Sequence, residues 1–344
     1  MTLASQYSVE TADPRLILDM NYAFARTAML VAAVRLHLFS VLATEKSMSA
    51  PTLAKALKTD PDFTARFLRG LSGLGLVEQD GETYHLTPVS SRFLVEGKPG
   101  YLGGDTLMMM DFLPAWFALD QTLHTHKPYR DLGQAEESAA FFAPHTRDLF
   151  SITYPFAKRL ATSLELRNSE RPLRVLDVGA GNASWSSAFA ELYTNVQVTA
   201  VDLPAVAAQG RQQVAELGLA DHYRWIEADI MEVSLESEGY DLIIVAHLCR
   251  YLGEQRTRDL LKKLASSCSR DGTLVLVDIL LADDRSGPSF ALTLDISMLL
   301  NTSQGRLSTF QEFATWLRES GFQTVSSLEI ASPSPVIVAK RGIV

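Results

Sequence analysis

Residues 174–183 read Arg-Val-Leu-Asp-Val-Gly-Ala-Gly-Asn-Ala, an apolar strand that runs into a turn containing Gly179 and Gly181. A helix is predicted to begin near Ser184. Glycine lacks a Cβ atom and tolerates a positive φ, so such a turn lets backbone N–H groups approach a ligand closely. A second apolar strand ends at Asp202, where an acid can accept both hydroxyls of a ribose. The stretch therefore predicts a nucleoside-binding crevice in the second half of the chain.

Apolar strands alternate with helices after Arg171. Strands are predicted at 174–179, 196–202, 223–228, 241–247 and 272–279. Helices are predicted at 184–193, 204–217 and 254–268. This alternation implies a parallel, doubly wound sheet. The last two apolar runs, 323–330 and 334–340, flank a short turn around Ser332-Pro333 that only an antiparallel hairpin can close. The predicted fold class is α/β, a Rossmann-like seven-stranded sheet that ends in an antiparallel hairpin.

The first half of the chain reads mainly as helix. Between Pro14 and Leu42 the apolar pattern predicts one or two helices that need cover on nearly every side, which a partner subunit could supply. Capped helices follow at Ser49 and Asp60, and a hairpin turns at Asp80-Gly81. Two helices and a hairpin are the outline of a winged helix.

Charge and composition exclude several classes of partner. The net charge of −9 argues against nucleic acid or an anionic membrane surface. The winged-helix region between Ser49 and Lys98 holds six basic and six acidic residues, so a DNA-binding regulator is the weakest interpretation. No run of about 18 apolar residues is found, so no membrane-spanning helix is expected.

The length of 344 residues predicts two domains, or one large domain with an extension. The N-terminus and the cysteine usage indicate a cytoplasmic protein. The polar segment Met1–Asp13 does not look like a signal peptide. Cys249 and Cys268 lie in apolar segments and are expected to be reduced thiols.

The third strand closes with Ala228-Asp229-Ile230, and the glycine turn lacks the third-glycine spacing of a dinucleotide fingerprint. With the C-terminal hairpin, these residues resemble the class I S-adenosyl-L-methionine (SAM) methyltransferases. From about Leu16 to Val338 the chain is similar to the small-molecule O-methyltransferases of the caffeic-acid and acetylserotonin type. The resemblance implies SAM as cofactor, a small-molecule acceptor, and a homodimer formed through the N-terminal domain.

The resemblance also implies a division of labour along the chain. Residues 1–100 would form a helical, winged-helix-like dimerisation domain, 101–170 a helical linker lining the acceptor pocket, and 171–344 the SAM-binding domain. The implied cofactor-binding residues are Asp177, Gly179, Gly181, Asp202, Leu203, Asp229, Ile230, Ala246 and His247. The alternative for Asp202 and Asp229 is that they only cap the helices that follow.

The catalytic histidine of the family is missing. Arg250 stands at its position after the fourth strand, and Leu307 stands where the family has a glutamate that orients the histidine. Arginine has no acceptor atom and stays charged, so it cannot act as a base, but it can hold an anion in a fork of N–H donors. The other interpretation is that Arg250 pairs with Glu254, four residues on.

Three further residues are candidates for acid–base chemistry. His247 could be a base, although a histidine on an apolar strand is often simply packed and hydrogen-bonded. Tyr251 could donate a proton weakly, and a buried Asp295 would have a raised pKa and could accept one. No metal is predicted, because His124 and His126 lack a third ligand nearby.

Eight apolar and aromatic residues match segments that cover the acceptor in the family: Met108, Met109, Phe112, Trp116, Phe150, Tyr154, Met298 and Leu299. Ordinary core packing is the alternative for each of them. As a group they favour a flat or hydrophobic acceptor.

Methyl transfer needs chiefly alignment and exclusion of water, since the sulfonium is already an activated leaving group. The sequence therefore predicts SAM-dependent methylation of a small aromatic or polyketide-like metabolite, on a hydroxyl oxygen, without the histidine base. Two alternatives stay open. One is methylation of carbon in an enol, enolate or electron-rich ring, and the other is a cyclase, decarboxylase or hydroxylase that keeps SAM as a positive charge.

Overall fold

The computed structural model describes residues 13–164, 166, 171–237, 239–330, 332 and 334–342. The polar segment before Asp13 and Pro333 of the predicted hairpin turn lie outside these residues. The chain divides into two units, Met1–Leu107 and Met108–Val344. The functional roles assigned above to 1–100, 101–170 and 171–344 stay predictions.

The first unit contains the predicted winged-helix outline. Its elements are α1 (Arg15–Arg35), α2 (Leu38–Leu42), β1 (Met48–Ser49), α3 (Ala50–Leu57), α4 (Pro61–Gly73), β2 (Val77–Asp80), β3 (Thr83–Leu86) and α5 (Pro88–Phe93). Ser49 and Asp60 cap α3 and α4 by accepting backbone N–H groups. The hairpin β2–β3 gains a third strand, β1, which the sequence analysis missed because it is only two residues long.

The apolar stretch before Leu42 forms two helices, because His37 adopts a left-handed conformation with φ of +53° and ends the first of them. Val31 and Val34 of α1 are buried, whereas its first half exposes large apolar side chains. Among the described residues, one helix is long enough and apolar enough to cross a membrane, by length and composition only, and that helix is α1. Asp19 and Arg26 interrupt α1, so it contains no uninterrupted run of about 18 apolar residues. That no helix spans a membrane stays a prediction.

In the second unit the described residues form a seven-stranded sheet in the order β6-β5-β4-β7-β8-β10-β9. The strands are β4 (Leu173–Val178), β5 (Val196–Asp202), β6 (Tyr223–Glu227), β7 (Tyr240–Ala246), β8 (Cys268–Val277), β9 (Thr324–Leu328) and β10 (Val336–Lys340). The strands from β6 to β8 are parallel, and β10 pairs antiparallel with both β8 and β9. This confirms the predicted fold class.

The helices of this part of the chain are α6 (Gly103–Trp116, which begins in the first unit), α7 (Leu119–Thr125), α8 (Ala135–Phe142), α9 (Phe150–Ser163), α10 (Ser184–Leu192), α11 (Pro204–Glu216), α12 (Cys249–Ser267), α13 (Ser289–Asn301) and α14 (Phe310–Glu319). Residues of α9, α10 and α11 share a core cluster with one face of the sheet, and residues of α12 and α14 share one with the other face. Successive residues of a strand point to opposite faces, so Leu242 and Ile244 join one core cluster and Ile243 and Val245 the other.

Helix α12 begins five residues before the predicted start at 254. Its first turn, from Cys249, is separated from the rest by Gly253, whose φ of +74° and ψ of 178° are not helical. Cys249 and Cys268, at its two ends, are free, buried thiols. The break lets the residues directly after β7 turn away from the axis of the long helix, which matters for the site described next.

Candidate active site

The glycine turn after β4 has the conformation that its sequence predicts. Gly179 and Gly181 have φ of +66° and +57°, and Gly179 donates its N–H to the Val201 carbonyl at 2.9 Å. A Cβ atom on Gly179 would lie 3.3 Å from Leu248, whereas one on Gly181 would meet no described atom within 4 Å. The turn is therefore packed on one side and open at Gly181.

Asp202, at the end of β5, is bonded to this turn. One carboxylate oxygen accepts the Gly181 N–H and the other the Leu203 N–H, each at 2.7 Å. Burial raises the pKa of Asp202 to about 6, against the lowering effect of these two N–H groups. Helix α11 has no side-chain cap among the described residues, so Asp202 does not serve as its cap. A carboxylate has about four lone-pair sites, which leaves acceptor capacity for a pair of hydroxyls.

Asp229 follows the neighbouring strand β6 and is also held by its own backbone. Its Oδ1 accepts the Met231 N–H at 2.8 Å, and its Oδ2 lies 3.4 Å from Arg256 Nη2. Ile230 is buried, and Lys263 donates to its carbonyl at 2.5 Å. A carboxylate beside a buried apolar side chain suits an adenine, which offers an amino group and a flat face.

Asp177 differs from these two acids because its carboxyl group is engaged within the protein. It is 1% exposed and accepts the Ser186 hydroxyl of α10 at 2.5 Å. Burial raises its pKa to about 7, the Ser186 bond opposes that rise, and the nearby charge of Asp202 adds to it. Leu203 and Ala246 are half-buried at the same ends of the strands.

Arg250 makes a buried ion pair with Asp278, the residue directly after β8. Its Nη1 donates to Asp278 Oδ1 at 2.7 Å and lies 3.1 Å from His247 Nδ1. His247 Nδ1 is 3.9 Å from Asp278 Oδ1, too far for a direct hydrogen bond. Arg250 therefore stands between the histidine and the carboxylate.

The alternative prediction, an ion pair between Arg250 and Glu254, is wrong, because no such pair is found among the described residues. Glu254 pairs instead with Arg258 and Arg306. The i,i+4 geometry requires one continuous helix, and Gly253 breaks α12 between the two residues.

Burial and the Arg250 charge set the protonation of Asp278 and His247. Burial alone would raise the pKa of Asp278, but the Arg250 charge, His247 and the Ile279 N–H hold it below its ordinary value. Burial, together with the Arg250 charge, lowers the pKa of His247. Because Arg250 can only donate, His247 Nδ1 is the acceptor, which assigns the ring hydrogen to Nε2.

Asp278 was not singled out in the sequence, although a signal was present. It ends an apolar strand in the same way as Asp202 and Asp229, and parallel strands bring such ends to one edge of the sheet. The Nε of Arg250 is buried and has no hydrogen-bond partner among the described residues.

Of the two remaining catalytic candidates, Tyr251 lies close to Arg250, whereas Asp295 is bonded to the backbone at Leu307. The Arg250 guanidinium carbon is 5.2 Å from the ring centre of Tyr251. Asp295 Oδ1 accepts the Leu307 N–H at 2.7 Å, so this carboxylate holds the segment that carries Leu307. The Leu307 side chain is fully buried and packs beside Tyr251.

The acceptor-lining candidates are only partly brought together. One cluster comprises Met108, Phe112 and Leu132, with Trp116, Phe141, Phe142, Leu149 and Tyr251 packed against it. Met298 lies in a second cluster that also touches Tyr251. Phe150 stacks on Tyr154 at 4.5 Å, but Tyr154 packs against the core of the sheet. Met109 and Leu299 are about two-fifths exposed, at 41% and 42%, and join neither cluster.

Aromatic rings connect Arg250 to a second arginine. Tyr251 meets Phe142 at 5.4 Å, Phe142 meets Phe141 at 5.1 Å, and the Arg130 guanidinium carbon is 5.0 Å from the Phe141 ring centre. These rings form an aromatic row with a cation at each end. Neighbouring rings meet edge to face, at 75° and 87°, so an aromatic ligand can pack against individual ring faces rather than along one flat surface.

No group of three or more His, Cys, Asp or Glu side chains is arranged to hold a metal ion in the part of the chain that the structure describes. His124 and His126 lie at the end of α7, where His126 has a left-handed backbone with φ of +58°.

Two family models match the chain. Residues 135–323 match the O-methyltransferase domain, and residues 18–96 match the O-methyltransferase dimerisation domain.

Proteins similar over nearly the whole length agree with these matches. The 3-hydroxy-5-methyl-1-naphthoate 3-O-methyltransferase of Streptomyces sahachiroi is 28% identical over 93% of this chain and 92% of its own. The tetracenomycin polyketide synthesis 8-O-methyl transferase of Streptomyces glaucescens is 25% identical, over 94% and 96%. Human N-acetylserotonin methyltransferase, solved in complex with SAM, superposes with a TM-score of 0.82 at 21% identity, over 97% and 99% of the two chains.

Proposed function

This chain belongs to the family of SAM-dependent O-methyltransferases that carry a dimerisation domain, and from that premise we propose that it methylates a hydroxyl oxygen of a small aromatic or polyketide-like acceptor. The observation that carries the proposal is the geometry at the ends of β4, β5 and β6. There an open glycine turn is bonded to Asp202, and Asp229 with Ile230 follows the next strand.

The residues present fit SAM. Space above Gly181 that a Cβ atom would fill can take the methionine part, and the remaining lone pairs of Asp202 can accept the ribose hydroxyls. We assign the contacts with SAM to Gly179, Gly181, Asp202, Leu203, Asp229, Ile230, Ala246 and His247. Asp177 has its carboxyl group engaged with Ser186, and its role is to hold the turn against α10.

SAM supplies an electrophilic methyl group when it is bound, so the protein has to place the acceptor oxygen and keep water away. Arg250 does the placing in this proposal. Its buried Nε faces no acceptor among the described residues, and its charge remains because Asp278 stabilises it. The guanidinium holds the ionised oxygen of the acceptor through charge-assisted hydrogen bonds. Asp278 fixes the guanidinium in one orientation.

No general base is required in this arrangement. His247 is occupied at Nδ1 by the Arg250 donor and presents Nε2–H, which makes it a donor near the cofactor. Tyr251 packs along the acceptor, and Asp295 positions the backbone at Leu307. The acceptor is therefore one whose hydroxyl ionises readily, such as an acidic phenol.

The aromatic row and the buried cluster around Phe112 support a flat acceptor. Met108 and Trp116 belong to that cluster and Met298 to the one beside Tyr251, whereas Met109, Phe150, Tyr154 and Leu299 belong to neither. Two relatives over nearly the full length act on a hydroxynaphthoate and in polyketide synthesis, as their names state. We propose a fused-ring hydroxylated acceptor on this basis.

The experiment is incubation of the purified protein with SAM carrying a ¹³C-labelled methyl group and a panel of hydroxynaphthoates and phenols. We expect S-adenosylhomocysteine (SAH) to form in step with a product whose labelled carbon is bonded to oxygen in the NMR spectrum. A label bonded to carbon would show that the protein methylates carbon instead of oxygen. Turnover of the acceptor without SAH would indicate a non-methylating enzyme, and absence of SAH binding in calorimetry would refute the proposal.

A homodimer formed through the first unit completes the proposal. The dimerisation-domain match includes α1, whose exposed apolar residues need cover. Burial between two copies would cover the exposed apolar residues of α1 without a membrane or any further partner. We propose a cytoplasmic location for this dimer, which the free thiols of Cys249 and Cys268 support.

A further inference from the structure

A short segment of unit 2, residues 129–134 and named here the strap, is bound to the end of α13. Tyr129 and Leu132 donate their N–H groups to the carbonyls of Leu300 and Asn301 at 2.8 and 2.7 Å. Leu300 and Asn301 are the last residues of α13, so the two N–H groups of the strap satisfy carbonyls that have no partner within the helix. The strap is therefore an ordered element without helical or sheet structure of its own.

Asp131 strengthens this attachment through its side chain. Its Oδ1 accepts the N–H groups of Ser303 and Gly133 at 3.0 and 3.1 Å. Burial opposes ionisation, but the bonds from Ser303, Gln134 and Gly133 hold the pKa of Asp131 below its ordinary value. The carboxylate thus joins the strap to the loop after α13.

The strap also touches the acceptor side of the site. Leu132 is buried in the cluster with Met108 and Phe112, against which Tyr251 packs. Gly133 lies so close to Tyr251 that a Cβ atom would be 3.1 Å from the Tyr251 carbonyl oxygen. A movement of the strap would therefore move a wall of the acceptor pocket.

Arg256 of α12 connects the strap to the cofactor side. Its Nη1 donates to the Gly133 carbonyl at 2.7 Å, and its Nη2 lies 3.4 Å from Asp229 Oδ2. The two ends of one planar guanidinium thus hold the strap and the carboxylate assigned to adenine. The longer of the two contacts is the one to Asp229.

We propose that Arg256 is a positioning residue that couples occupancy of the adenine site at Asp229 to the fixing of the strap, and so to the shape of the acceptor pocket. The inference rests on the proposed function, since it takes Asp229 as the adenine ligand. An adenine amino group bound to Asp229 orders that carboxylate, the ordered carboxylate fixes Arg256, and Arg256 fixes the Gly133 carbonyl. Because coupling is reciprocal, a fixed strap also strengthens cofactor binding.

Hydrogen–deuterium exchange with SAH as the added ligand tests this without any acceptor. In the wild type we expect SAH to slow exchange in the glycine turn, residues 179–183, and in the strap by about fivefold or more. In Arg256→Met, which retains the length of the side chain without its donors, the turn should still be protected and the strap should not respond. In Arg256→Lys, which can keep one of the two contacts, SAH should slow exchange in the strap by less than it does in the wild type.

Arg258→Met is the matched control. Arg258 lies two residues farther along α12 and pairs with Glu254 and Glu319 rather than with the strap. The strap of this variant should respond to SAH as in the wild type. Unchanged strap protection in Arg256→Met would overturn the inference, as would a wild-type strap that ignores SAH while the turn is protected. Lack of protection at both segments would instead refute the proposed cofactor site.

Discussion

Arg250 donates to the carboxylate of Asp278 across 2.7 Å, although the two residues lie 28 positions apart in the sequence. Asp278 is 2% exposed and Arg250 15%, so both charges are largely removed from water. The resemblance described in the sequence analysis predicts a histidine at the position of Arg250. In the structure this position carries a permanent cation, and the Asp278 carboxylate beside it compensates its charge.

A variant in which only one partner is removed should lose much stability. Breaking a buried pair leaves the other charge uncompensated, which costs about 3–5 kcal/mol. We expect Asp278→Asn and Arg250→Met each to lower the free energy of unfolding by an amount of this order, measured by urea denaturation.

The double variant Arg250→Met/Asp278→Asn is the informative control, because it removes both charges. It should be more stable than the sum of the two single changes implies. Additive effects of the two substitutions would show that the ion pair carries no coupling energy.

The pH dependence of kcat/KM separates an ionised acceptor from a histidine base. Burial lowers the pKa of His247, so a rate limb due to this base would lie below its ordinary value of about 6.5. We expect the rate instead to rise with pH as the acceptor hydroxyl ionises. The limb should move to lower pH with a more acidic phenol, and His247→Asn should leave it in place. A limb that disappears in His247→Asn would identify the histidine as the base.

Sequence patterns predicted this fold well because its strands are buried on both faces. The predicted strands 241–247 and 272–279 are largely apolar, as expected of central parallel strands, and the observed β7 and β8 differ from them mainly at the ends. The glycine turn was equally legible, because a positive φ at Gly179 and Gly181 is a local property of the chain.

The partners of Arg250 could not be predicted in the same way. Local spacing favours Glu254, and only the break at Gly253 removes that choice. The correct partner, Asp278, is brought close by the parallel pairing of β7 with β8, which is tertiary information. The strap was missed for the same reason, since its hydrogen bonds go to Leu300 and Asn301, far along the chain.

Gly181→Ala should weaken cofactor binding more than it weakens folding. A Cβ atom there meets no described atom within 4 Å, so only the backbone strain at φ of +57° lowers the free energy of unfolding, by about 1–2 kcal/mol. The added methyl group occupies space assigned to SAM, so the Kd for SAH in calorimetry should rise by about tenfold or more, equal to 1.4 kcal/mol. Gly218→Ala is the matched control, because its φ of +73° and its free surroundings are similar. Equal losses of SAH affinity in both variants would contradict the assignment of the space above Gly181 to SAM.

Asp177→Asn should change how stability depends on pH. Burial raises the folded-state pKa of Asp177 to about 7, above the unfolded value. The folded state therefore holds a proton more tightly, and its stabilising contribution is lost as pH rises through about 7. The variant cannot ionise, so relative to the wild type it should gain on the order of 1–3 kcal/mol between pH 5 and pH 8. Urea unfolding at the two pH values measures this difference, and an equal offset at both would contradict it.

The exposed half of α1 provides a test of the proposed dimer. Ile17, Met20 and Phe24 are each about two-thirds exposed, at 64%, 66% and 64%, and their spacing places them on one side of the helix. A charge at the centre of an apolar interface is costly to bury without a partner. We therefore expect Phe24→Glu to convert the dimer to a monomer in sedimentation analysis, while the far-ultraviolet circular dichroism stays unchanged.

Phe117→Glu is the control for this prediction, because Phe117 is 72% exposed and lies outside residues 18–96, which match the dimerisation domain. It should leave the dimer intact, since a general loss of surface hydrophobicity is not what holds the two copies together. The wild type should also remain in solution without detergent when it sediments as a dimer. If it sediments as a monomer, or partitions into liposomes through α1, the exposed apolar side chains are covered by something other than a second copy of this chain.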